Sequence, residues 1–100
     1  MPIIVRENVD VGDTETEIIE PHETPHDKDR IFSVSNREQE VKVKAWASED
    51  GETWEERETS VIPANNTGSL TIGPRIYWVK LTGKTTTSGT TSTVDACLVY

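Results

Sequence analysis

A chain of 100 residues with 33% hydrophobic side chains supports one domain with a modest core, because small folds bury a smaller share of their surface. Eighteen acidic against ten basic residues leave a formal charge of −8, which opposes binding to a nucleic-acid backbone. The charge is uneven, with nine acids and three bases in residues 1–30 and nine acids and seven bases in residues 31–100, so an acidic arm (1–30) is expected ahead of a more balanced body (31–100).

Within the arm, two short apolar runs, Ile3-Ile4-Val5 and Ile18-Ile19, are separated by Asp10-Val11-Gly12-Asp13 and followed by Pro21, Pro25 and a charge cluster. Such a segment buries little of itself, so it is expected to be extended and to order against something else. Its first apolar run is too short for a signal peptide, and no stretch approaches the ~20 apolar residues of a membrane helix, so no membrane contact is expected. His22 and His26 lie close to several carboxylates, but Pro25 breaks the helical turn that would bring the two imidazoles together, so no metal site is expected.

From Arg30 onward the pattern is that of short strands with a period of two. Ile31 to Ser35 forms one, and Val41 to Ala47 places Val41, Val43, Ala45 and Ala47 on one face, with Lys42, Lys44 and Trp46 on the other. Asp50-Gly51 supplies a turn and Thr53 to Arg57 a returning strand. Ser60 to Ile62, Ser69 to Ile72, Arg75 to Leu81 and Val94 to Tyr100 follow at the spacing of a sandwich. The Thr-, Ser- and Gly-rich stretch from Gly83 to Thr93 reads as a long flexible connection. Abundant Thr fits strands better than helices. The expectation is an all-β antiparallel sandwich, jelly-roll or immunoglobulin-like, with an extended N-terminal arm. Its expected core includes Phe32, Val34, Val43, Ala45, Tyr77, Val79, Leu81, Ala96 and Leu98. Cys97, the only cysteine, excludes an internal disulfide and is expected to be a small buried thiol.

The run Ser48-Glu49-Asp50-Gly51-Glu52-Thr53-Trp54 resembles the hairpin of discoidin-like and fibronectin-like sandwiches, in which a strand ends in Ser-x-Asp-Gly and the return brings in a Trp. The resemblance implies that Asp50 bonds neighbouring amides, Gly51 permits the turn and Trp54 covers a sheet edge. Asn65-Asn66-Thr67 matches a glycosylation sequon but reads as a turn. The pairs Glu55-Glu56 and Asp27/Asp29 read as solvated faces. No nucleophile and base are matched and no Gly-rich phosphate loop appears, so neither catalysis nor a cofactor is expected.

In size, hairpin, terminal arm and β-rich body, the chain is similar to the decoration (cement) and head-tail or tail proteins of tailed viruses. That resemblance implies a protein made in the host cytoplasm and carried in the virion, a symmetric oligomer bound to the major capsid protein or another virion protein. The expected anchors of the arm are Ile3, Ile4, Val5, Ile18 and Ile19. A carbohydrate-binding or adhesion module using exposed Trp46, Trp54 or Trp78 is the alternative, followed by a free-standing cytoplasmic interaction domain.

Overall fold

The computed structural model describes residues 3–25 and 27–100, which leaves His26 of the two-histidine motif outside the described residues. The described residues form eight strands: β1 (Ile3–Val11), β2 (Thr16–Glu23), β3 (Arg30–Asn36), β4 (Val41–Ser48), β5 (Glu55–Ile62), β6 (Thr67–Ile72), β7 (Trp78–Thr85) and β8 (Ser92–Val99). One sheet has the order β1-β8-β3-β6 and the other β2-β7-β4-β5, with every pairing antiparallel.

This order has a simple origin. Strand β1 pairs with β8, β2 with β7, β3 with β6 and β4 with β5, so the chain is one long antiparallel ribbon folded back at the β4–β5 connection. Rolling that ribbon sends alternate pairs to opposite sheets and adds the β3–β8 and β4–β7 contacts. The result is the eight-stranded jelly roll among the sandwich topologies.

Alternation places the core between the sheets. Phe32, Val34, Leu70, Val94 and Leu98 from one inner face meet Val41, Val43, Ala45, Val79 and Leu81 from the other, all fully buried. At full burial each such Val, Leu or Phe contributes about 1.5 to 3 kcal/mol. The expected inward residues are found there except Tyr77, which is 43% exposed. It precedes the start of β7, in a turn where Arg75 takes a left-handed φ of 79°, so strand alternation does not govern it.

The N-terminal segment is not an arm. Ile3 to Val11 is zipped along β8, and Thr16 to Glu23 lies along β7. Its polar backbone therefore finds hydrogen-bond partners in the last two strands of the same chain. Two irregularities fit its sequence to the sheets. A register shift between Arg6 and Val9 accompanies the positive φ of Asn8. Another beside Ile19 lets the adjacent Ile18 and Ile19 both enter the core, which a regular strand forbids.

Three further differences follow from the ribbon. Residues 53–57 and 60–62 do not make separate strands, because β5 runs unbroken from Glu55 to Ile62. The Thr-rich connection is shorter than expected, since β7 continues to Thr85 and β8 starts at Ser92. Gly83 lies inside β7, where a Cβ would come within 2.9 Å of the Ile18 Cδ1 atom, so glycine there makes room for the β2 side chain. Cys97 is half-buried on the outer face of β8 rather than in the core.

Candidate functional site

A sandwich can meet a partner through its edges or its outer faces, and the edges of this one are obstructed. Edge strand β5 carries Glu55, Glu56, Arg57 and Glu58, all exposed. Glu58 also accepts a hydrogen bond from the backbone N–H of Thr71 on edge strand β6 (3.2 Å). Edge strand β2 contains the exposed Pro21, and Arg6 on β1 donates both to the Val5 carbonyl (2.8 Å) and to Glu20 on β2. Charge, proline and side-chain capping are the usual obstacles to strand addition.

The outer face of the β1-β8-β3-β6 sheet is different. Cross-strand register aligns Ile3, Val99, Ile31 and Thr71 in one row, and Val5, Cys97, Ser33 and Ser69 in the next. These two rows contain no charged side chain. Ile3, Val5 and Ile31 are 57%, 49% and 41% exposed. Charge returns one row further on, where Asp95 pairs with Arg37 and accepts the backbone N–H of Asn8 (2.8 Å). Those contacts hold the Asp95 carboxyl below its ordinary value, the Asn8 bond most strongly.

The opposite outer face, on β2-β7-β4-β5, gathers four of the five lysines of the chain, Lys42, Lys44, Lys80 and Lys84, together with Trp46, Trp54 and Trp78. The rings are half-buried and occupied. Lys80 lies 4.5 Å from the Trp54 ring centre and 5.7 Å from that of Trp46, while Trp46 donates to the Thr82 hydroxyl (2.8 Å), which in turn donates to Glu15. Trp78 packs beside Gly51. These rings cover the sheet, and Trp46 and Trp54 hold Lys80 by cation–π contact.

The Asp50-Gly51 motif serves architecture. Asp50 Oδ1 accepts the backbone N–H groups of Glu52 and Thr53 and the Ser48 hydroxyl, each at 2.9 Å. These bonds, led by that from Thr53, lower its pKa to about 2. The connection spans residues 49–54, longer than a two-residue hairpin, and Trp54 lies in it ahead of β5. Gly51 has φ 80°, and a Cβ there would approach the Trp78 ring at 3.1 Å. Gly51→Val is therefore expected to cost about 1 to 3 kcal/mol by thermal denaturation, from backbone strain together with this contact.

The Arg6–Glu20 pair closes the gap between edge strands β1 and β2, and His22 Nε2 lies 3.2 Å from the same carboxylate. The Arg6 hydrogen bond is the main cause that lowers Glu20 from 4.5 to about 2. A carboxyl with a depressed folded-state pKa stabilises the fold above its unfolded value and loses that contribution as pH falls through the folded one. The stability gap between the wild type and Glu20→Gln should thus be widest near neutrality and close between pH 4.5 and about 2, as measured by thermal melts across that window.

Of the expected anchors, Ile3 and Val5 lie on the uncharged outer face. Ile4 points inward and packs against the core, which Ile18 and Ile19 enter outright. The residues that complete the face, Ile31, Cys97 and Val99, come from strands remote in sequence. Among the described residues, no three His, Cys, Asp or Glu side chains form a metal-binding group.

No family model matches the chain, and no curated protein does. Among solved structures it is similar to that titled crystal structure of PirA, at 13% identity and a TM-score of 0.66, over 95% of this chain and 90% of that one. It is also similar to SPBc2 prophage-derived protein YomS, at 12% identity and a TM-score of 0.57, over 99% and 94% of the two chains. The chain shares its β-sandwich fold with a phage-derived protein. At such identities the likeness is one of fold, and function must be argued from the surface.

Proposed function

We propose that the chain is a non-enzymatic structural protein of a virus particle, a capsid decoration protein that docks through the outer face of the β1-β8-β3-β6 sheet. One observation carries this reading: in a chain of net charge −8, two full rows of that face are uncharged and include three exposed aliphatic side chains. A face of this kind favours a protein partner, since burying it removes apolar area from water without stripping charges of their hydration. The partner is the major capsid protein or another virion protein such as a tail or connector component. Symmetric copies would each present the same face, as a regular lattice requires. The fold shared with YomS makes virus particles the first place to test.

The test is sedimentation with particles of the virus that encodes the chain. Wild-type protein should travel with assembled shells or tails. The double variant Val5→Asp, Ile31→Asp should stay at the top of the gradient while melting within about 5 °C of the wild type, because both side chains are exposed. A variant that remains on particles at full occupancy would place the contact elsewhere, and a wild-type chain absent from particles would overturn the reading.

A further inference from the structure

The lysine-bearing outer face of the β2-β7-β4-β5 sheet is not used by that reading, and it contains an arrangement that folding alone does not favour. Lys42 on β4 and Lys84 on β7 are direct cross-strand partners and face outward between inward-facing neighbours. Antiparallel partners have Cα atoms about 4.5 to 5.5 Å apart, and like charges directly opposite one another destabilise a sheet. The other two lysines of the face are engaged, Lys44 with Glu56 (3.4 Å) and Lys80 with two Trp rings. Neither Lys42 nor Lys84 forms an ion pair among the described residues.

We infer that Lys42 and Lys84 form an oxyanion site that takes a phosphate or sulfate group. The pair borders a shallow depression of about 380 Å³, whose other walls are Asp13, Thr85, Thr86 and Ser88. Of the nearby carboxylates, Asp13 accepts from the Gly89 backbone N–H (2.8 Å), Glu40 accepts from the Thr86 hydroxyl (2.7 Å), and Glu56, paired with Lys44, also interacts with the Lys42 charge. Two lysine side chains bordering one depression match a compact dianion, which turns their mutual repulsion into shared attraction. The acidic remainder of the chain opposes a long, densely charged polymer such as nucleic acid. The group is therefore recognised either free or as an ester spaced along a polymer of low charge density.

The experiment uses the whole chain and the variant Lys42→Thr, Lys84→Thr. Thr suits a strand and relieves the repulsion, so the variant should melt no lower than the wild type, which separates lost binding from lost folding. Inorganic phosphate and sulfate, titrated at constant ionic strength against 15N-labelled protein, should shift amides around 42, 84 and 86–88, with affinity at least tenfold weaker in the variant. A lightly sulfated dextran, with unsulfated dextran as control, distinguishes the sources. Response to the inorganic ions supports a site for the group itself, and response to the sulfated polymer alone supports a site for its ester. No response to either probe, or equal binding by the variant, would overturn the inference.

Discussion

Deleting residues 1–23 should abolish cooperative unfolding, leaving a chain with no sharp thermal transition by circular dichroism. The deletion removes two of the eight strands, one from each sheet, and with them Val11, Ile18 and Ile19 from the core. At about 1.5 to 3 kcal/mol per buried side chain, the loss is roughly 5 to 9 kcal/mol, against a total stability of about 5 to 15 kcal/mol for a domain. The damage also exceeds the lost burial. Strands β7 and β8 would become edges, and Val79, Leu81, Val94 and Leu98 would lose cover at the mouth of the sandwich. A detachable docking arm makes the opposite prediction, since its removal would leave melting unchanged. The ribbon topology adds a second measurement: a synthetic peptide of residues 1–23, supplied in trans, should restore a cooperative transition to the truncated chain. A truncated protein that melts sharply on its own would show that six strands suffice.

The misreading of that segment has a physical cause. Alternation is a local signal, and it is clear where a strand has one wet and one dry face, as in Val41 to Ala47 and Val94 to Leu98, whose inward residues are buried as expected. Strands β1 and β2 hide it. A register shift interrupts the first at Asn8, and another puts Ile18 and Ile19 in the core side by side. Their partners are the last strands of the chain, a distance over which no local pattern carries information. The outer faces were illegible for the same reason. Ile3, Val99 and Ile31 become neighbours only through the registers of β1, β8 and β3, and the opposition of Lys42 to Lys84 depends on the β4–β7 register. By contrast, the roles of Asp50 and Gly51 were readable, because a side chain bonding amides two and three residues ahead involves no distant partner.

Arg30 was the least legible residue of all, and replacing it should have the largest effect of any single substitution considered. At the start of β3 it follows Asp27, Lys28 and Asp29 in a charged run, yet it is fully buried. Its guanidinium ties two connections to β3 by donating to the carbonyls of Pro25 (2.9 Å), Gly73 (2.6 Å) and Ile76 (3.0 Å). The first lies in the β2–β3 connection and the other two in the turn before β7. Among the described residues no carboxylate forms an ion pair with it, and its Nε has no hydrogen-bond partner. Burial accordingly lowers its pKa. Two effects then oppose each other on truncation. Arg30→Ala removes three hydrogen bonds from a charged donor, at about 1.5 to 3 kcal/mol each, and strands three carbonyls. It also relieves the cost of burying a cation whose charge Asp29 offsets only in part. With the lost packing of a large side chain added, the net expectation is a destabilisation of about 2 to 4 kcal/mol. For a domain of this size that is a Tm lower by roughly 10 to 30 °C. Arg30→Met separates the terms, because it restores the packing while leaving the carbonyls unbonded. It should recover only part of the loss. Arg30→Lys keeps the charge but cannot spread planar donors over three carbonyls, so it too should fall well short of the wild type. If Arg30→Met melted at or above the wild-type temperature, the desolvation cost would outweigh the three hydrogen bonds, and Arg30 would be a net liability to stability.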